Sequence, residues 1–200
     1  MKVYVETNFV LELALDQEDC ESCAAFLQLA STGVIQLAIP AYALLEPYET
    51  LTRRLRDWKQ LGHEVQRHFG QLRRNPQLVS DVEALRELTV RAVDLARDGH
   101  ESVRRQLLET ATILPIDKTT LEKAEALRVS YGLELPDAVM LGAVLLDSAG
   151  VEEESFFVNK NTKDFADPRV VEELRGQRCR HIGNFANALQ AVRPAVGRSG

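Results

Sequence analysis

Cysteine is scarce: Cys20, Cys23 and Cys179 are the only three in 200 residues. Three thiols cannot pair completely within one chain, and nothing else points to secretion. The expectation is reduced thiols in a reducing, cytoplasmic compartment and no disulfide. Cys20 and Cys23 form a C-x-x-C that Cys179 and His181 could complete as four zinc ligands, but two small residues at i and i+3 fit more simply on one packed face of a helix. Long apolar runs are also missing. None approaches the roughly 20 residues that cross a bilayer, and Glu6 interrupts the N-terminus too early for a secretory leader, so no membrane association is expected. Nor is there an excess of positive charge, because the net charge is −6. That argues against a protein that coats nucleic acid with a basic surface, but not against an acidic metal site, which contributes negative charge by itself. No Gly-rich phosphate loop follows the first apolar run, which argues against a nucleotide-driven enzyme. No internal repeat is visible, and Glu152-Glu153-Glu154 reads as a solvated loop.

What is present is ordinary globular material, 45% hydrophobic and 27% charged, enough for one sizeable core. Val3-Tyr4-Val5 predicts a first strand, and the apolar stretch from Phe9 to Leu15 a helix. A second helix carries Cys20, Cys23, Phe26 and Leu27, and Val34 to Ile39 is a second strand ended by Pro40. From Ile113 the rhythm returns: strand 113–116, helix 118–131, a nearly all-apolar helix 136–147, strand 156–158, a helix from Pro168 through Leu174, strand 179–182 and a helix from Asn184. Short apolar strands alternating with helices predict an α/β, Rossmann-like three-layer fold around a central parallel sheet. Residues 1–190 are expected as one domain with a helical insertion at about 50–112, and 191–200 as a flexible tail.

Ligands of an open parallel sheet bind at the carboxyl ends of its strands. Glu6 directly follows the first strand. Pro47 fits best in a helix's first turn, which would set Glu46 at or beside a helix N-terminus. Asp137 follows Pro136 at the start of the apolar helix, and Asp164 lies six residues beyond Val158. An acid in a first turn is favoured by the helix dipole alone, so Glu46 and Asp137 taken singly are ordinary. Asp137, however, interrupts a segment destined for burial, where a carboxylate is costly unless something positive meets it. Several converging carboxylates would have to take up protons unless a cation joined them. An all-oxygen set with no histidine cluster favours Mg²⁺ or Mn²⁺, and the chemistry implied is phosphodiester hydrolysis.

In order along the chain, Val3-Tyr4-Val5-Glu6-Thr7-Asn8, Ile39-Pro40-Ala41-Tyr42-Ala43-Leu44-Leu45-Glu46, Leu135-Pro136-Asp137-Ala138-Val139 and Phe157-Val158-Asn159-Lys160-Asn161-Thr162-Lys163-Asp164-Phe165 resemble the four acid-bearing motifs of the PIN-domain family. The resemblance covers roughly residues 1–48 and 113–190. It implies a metal-dependent ribonuclease similar to the VapC type of toxin or to RNA-processing PIN enzymes, with Glu6, Glu46, Asp137 and Asp164 as catalytic and metal-binding acids. It also implies a homodimer and an antitoxin protein as possible partners. Thr7 and Asn8 then orient Glu6 or a bound water, and Asn161 supports the site. The chain departs from the family in two places. Glu6 stands where Asp is usual and is longer by one carbon–carbon bond of ~1.5 Å, and Asn161 stands where the fourth acid often is, which assigns that charge to Asp164. The alternative is a catalytically weak PIN-like module that binds RNA or a protein without cutting.

Between Glu46 and Asp137 lies the stretch the resemblance leaves unaccounted for. From Arg53 to Arg74 it holds Arg53, Arg54, Arg56, Lys59, Arg67, Arg73 and Arg74 against only Asp57 and Glu64. Arg53, Arg54, Arg56 and Lys59 are candidate RNA contacts, with Trp58 and Phe69 interleaved for stacking. The equal alternative is an amphipathic helix whose Leu55, Trp58, Leu61 and Val65 face the core or a partner. His63 and His68 read as surface residues rather than a general-base pair.

Overall fold

Short β-branched and aromatic segments form the strands, and the apolar-periodic segments between them form helices. The computed structural model describes residues 1–161 and 165–196, the side chains of 73 and 193–196 excepted. In order they give β1 (Lys2–Val5), α1 (Thr7–Ala14), α2 (Cys20–Ser31), β2 (Gln36–Pro40), α3 (Ala41–Phe69), α4 (Val79–Thr110), β3 (Thr112–Leu114), α5 (Lys118–Tyr131), α6 (Leu135–Ser148), β4 (Ser155–Val158), α7 (Pro168–Gly176), β5 (Cys179–Ile182) and α8 (Phe185–Val196). The strands make one sheet in the order β3-β2-β1-β4-β5. Every pairing is parallel.

Alternation along each strand divides the core into two layers. Val3, Val5, Leu37, Ile39, Phe156 and Val158 face α1, α2, the end of α4 and α8. Tyr4, Ala38, Phe157 and Cys179 face α5, α6 and α7 on the other side. Helix α6 is buried from Ala138 through Leu145, as its all-apolar sequence demands. Cys23 and Cys179 fall in opposite layers of the core, so they and their neighbours cannot share a zinc ion, and burial raises both thiol pKa values.

Two expectations are corrected. Pro47 is the seventh residue of α3 rather than part of its first turn, because the helix begins at Ala41 directly after the extended Pro40. Ala43, Leu44, Pro47 and Leu51 are the buried positions of α3, and this apolar stripe outweighs the hydrogen bond that proline removes. At the other end, α8 runs through Val196 instead of giving way to a tail at 191, since Val192 is fully buried.

The segment expected as an insertion is a hairpin of two long helices, 29 and 32 residues. Tyr48 lies beside His100, and Gly62 beside Thr89, so α3 and α4 run antiparallel. Only one end is anchored in the domain: on α3 the buried positions stop at Leu51, and on α4 most lie from Val93 onward. Gly99 is required there. A Cβ at that position would stand 2.2 Å from the backbone oxygen of Ala14 in α1.

Candidate functional site

In the strand order, β1 has β2 on one side and β4 on the other, so the chain reverses its direction of travel across the sheet at β1/β4. The crevice at the carboxyl ends there is where an open α/β sheet holds its ligand. Val5 registers with Val158, which brings Glu6 and Asn159 out side by side.

Glu6 is the N-cap of α1. Its Oε2 accepts a hydrogen bond from the Asn8 backbone N–H at 3.2 Å. The residue is only 2% exposed, and Oε1 is buried with no hydrogen-bond partner among the described residues. Desolvation raises its pKa from the usual 4.5 to about 7. Asn8, through its backbone and its side chain, pulls the value down, while the charges of Glu46 and Asp137 push it up. Two acids far from it in sequence therefore act on Glu6.

Glu46, half-buried on the second turn of α3, accepts a hydrogen bond from the Thr7 hydroxyl. That same oxygen lies 3.7 Å from the Met140 sulfur on α6, so Thr7 ties β1's exit to both helices. Asp137, in the first turn of α6, accepts from the Asn161 side-chain amide at 3.1 Å. The structure thus brings Glu6, Glu46 and Asp137 together with Asn8, Thr7 and Asn161 around them. Thr7 serves Glu46 rather than Glu6, and Asn161 serves Asp137. Asp164 lies outside the described residues.

The loop that carries Asn161 is held by a group that sequence reasoning missed. Lys160 reaches Glu12 at 2.9 Å and Asp19 at 3.0 Å, and Asp19 donates its backbone N–H to the other Glu12 oxygen at 2.8 Å. Glu12 first, then Asp19, holds the Lys160 ammonium well above its usual pKa. Glu12 is 4% exposed. The available signal was a carboxylate three residues after Phe9 on the buried face of an otherwise apolar helix, where an unpaired charge is not tolerated.

The donor set suits a hard divalent cation. It is all oxygen, it includes one buried carboxylate oxygen with no hydrogen-bond partner among the described residues, and the charges of Glu46 and Asp137 both disfavour the ionised form of Glu6. Among the described residues no three His, Cys, Asp or Glu side chains already stand as a chelating group, so the acids would have to draw together around an ion. Arg53, Arg56 and Lys59 lie exposed farther along α3, whereas Arg54 is half-buried on another face of the helix.

Comparison with known proteins bears on the same stretch. A family model described as the PIN domain matches residues 3–165. Among solved structures, a chain of a toxin–antitoxin complex from Klebsiella pneumoniae is 19% identical, covering 83% of this chain and 92% of that one, with a TM-score of 0.39. No curated protein matches. The matched span runs from β1 to beyond the Asn161 loop and takes in Glu6, Glu46 and Asp137 beside the parallel sheet, and the chain belongs to the PIN-domain family.

Proposed function

We propose that this protein is a divalent-cation-dependent endoribonuclease whose site is built on Glu6, Glu46 and Asp137, with Asp164 as the fourth acid. PIN domains are generally nucleases and typically depend on divalent metal. The observation that carries the reading in this chain is the buried, unbonded Oε1 of Glu6 in the field of two further carboxylates. A carboxylate buried without a partner costs stability, and it is retained where a cation offsets that cost.

Glu6, Glu46 and Asp137 would hold Mg²⁺ or Mn²⁺, and a bound divalent cation supplies Lewis acidity toward a phosphodiester. The chain's own groups do the positioning. Thr7 fixes the direction of Glu46, Asn161 fixes that of Asp137, and the Asn8 N–H fixes one oxygen of Glu6 while leaving the other free. The N-terminus of α6, with its positive dipole end beside Asp137, favours an anionic phosphate in the crevice. Lys160, anchored on Glu12 and Asp19, keeps the Asn161 loop against that end of α6.

The test is cleavage of a single-stranded RNA carrying a fluorophore and a quencher. Cleavage is expected with Mg²⁺ or Mn²⁺, to be lost in excess EDTA, and to be lost in a folded Asp137→Asn variant, which keeps the shape and removes the charge. Full turnover in EDTA, or in that variant, would refute the metal site. RNA binding with no cleavage under any cation would instead make the protein a PIN-fold binding module.

A further inference from the structure

The residue beside Glu6 at the sheet edge is buried and has a donor to spare. Asn159 follows β4 directly, and its backbone N–H still donates to the Ile182 carbonyl at 3.2 Å, so the strand ladder sets its place. By alternation its side chain falls on the face of Phe157, as Glu6 falls on the face of Tyr4, and both of those rings belong to the layer packed on α6. Asn159 is 0% exposed. Its Oδ1 lies 3.4 Å from Nε2 of His181 on β5, a half-buried ring beside Phe157, and the two bond when the imidazole carries its proton on Nε2. Its Nδ2 has no hydrogen-bond partner among the described residues.

Buried amides almost always use their donors, and one that does not calls for a reason. A purely structural Asn159 would be tied through its NH2 group to a neighbouring carbonyl or carboxylate. Asn161, two residues on, is such a case, since its amide donates to Asp137. Glu6 Oε1, on the register neighbour of Asn159, is an acceptor equally without a partner, yet the two atoms do not bond each other. A cation at Glu6 would meet the acceptor alone, because an N–H cannot pair with a positive charge. An oxygen atom bound at the same place meets both needs: it accepts from Nδ2 and lies against whatever Oε1 holds.

We propose that the Asn159 amide is the site's donor to an oxygen ligand held at Glu6, either the water that enters the hydrolysis or a non-bridging oxygen of the phosphodiester. Both are oxygen acceptors of the same chemistry. The inference rests on the nuclease reading for what the ligand is, and on the unmet amide for the residue that binds it. A hydrogen bond to an oxygen that carries negative charge, in a place closed to bulk water, is among the stronger ones. In this arrangement the cation is left to Glu6, Glu46 and Asp137, and His181 takes the oxygen end of the amide so that the NH2 end is turned to the ligand.

The test compares the full chain with its Asn159→Leu variant, which has nearly the same shape and no donor. Without metal, the variant's melting temperature should equal or exceed the parent's, because an apolar side chain replaces a buried unsatisfied amide. Mn²⁺ affinity, read from the electron paramagnetic resonance of the free ion, should stay within about twofold of the parent's. Cleavage of the fluorogenic RNA at saturating Mn²⁺ should fall roughly 10- to 100-fold in kcat/KM, the worth of one hydrogen bond to a charged acceptor. A loss confined to kcat assigns the oxygen to water, and a loss in KM assigns it to the phosphate. Asn159→Thr, which keeps a donor, should cleave several-fold faster than Asn159→Val, which has the same shape and none. Parent-like kcat/KM in the leucine variant overturns the proposal, as does equal cleavage by the threonine and valine variants. A metal-free melting temperature below the parent's makes the amide structural and overturns it too. So does Mn²⁺ binding that weakens as much as cleavage, which would make the amide a cation ligand. If the parent itself does not cleave, the nuclease reading falls and the amide is judged on uridine 5′-monophosphate in Mn²⁺. That nucleotide should bind the parent about tenfold tighter than Asn159→Leu, and equal affinity overturns the proposal.

Discussion

Replacing Glu6 by Gln should change how the stability of the metal-free protein depends on pH. An unfolded glutamate titrates near 4.5, whereas folded Glu6 is raised to about 7. Between those values the native state holds a proton that the unfolded state has released, so stability falls as pH rises, by about 1.4 kcal/mol per unit. Over the window from 4.5 to about 7 the loss is of the order of 3 kcal/mol, complete above the folded value. Gln carries no such proton. Stability measured by urea unfolding in EDTA, followed by far-UV circular dichroism, should therefore shift in favour of Glu6→Gln by about 3 kcal/mol between pH 4.5 and pH 8. The readout is the difference between variants rather than the raw slope. Desolvation lowers the pKa of buried His100 and of half-buried His181, so each adds stability as pH rises toward its unfolded value, but equally in both proteins. Mg²⁺ should narrow the gap, since it binds the native state with Glu6 ionised. A difference that stays constant within ~0.5 kcal/mol from pH 4.5 to 8 would show that Glu6 is neither desolvated nor crowded by Glu46 and Asp137.

Two further outcomes test the frame around the site. Lys160→Met leaves Glu12 buried without its cation; with the Lys160 side chain 33% exposed and that of Glu12 6%, the expected cost is about 2 kcal/mol, a fall of roughly 4–8 °C in melting temperature, and an unchanged melting curve would mean the pair carries no stability. Gly99→Ala gains about 1 kcal/mol of helix propensity, yet its Cβ would meet the Ala14 backbone oxygen at 2.2 Å, so α4 must shift off α1 and the protein should lose stability; a higher melting temperature would contradict that packing.

Much of the fold was legible because burial on both sides of a parallel sheet leaves a plain mark in sequence. Val3-Tyr4-Val5, Phe156-Phe157-Val158 and the apolar run of α6 could be nothing but interior, with Glu6 just after the first of these runs and Asp137 at the start of the last. Helical periodicity likewise separates Arg53 from Arg54 without any coordinates. Local sequence could not foresee that Pro47 would be carried inside a helix. The deciding factor is the stripe Ala43, Leu44, Pro47 and Leu51 buried against the rest of the domain, a long-range gain set against a local loss.

The chain by itself determined the element types, the parallel sheet and the residues able to bear charge at its carboxyl edge, since these follow from side-chain period and from where apolar runs stop. Only the tertiary structure decided which of those residues serve one another. Strand order places β4 beside β1, which sets Asn161 on Asp137; the hydroxyl of Thr7 turns to Glu46; and Lys160 closes on Glu12 and Asp19. Hydrogen bonds and ion pairs between residues distant in sequence are fixed by the packing of sheet and helices, and no local pattern records them.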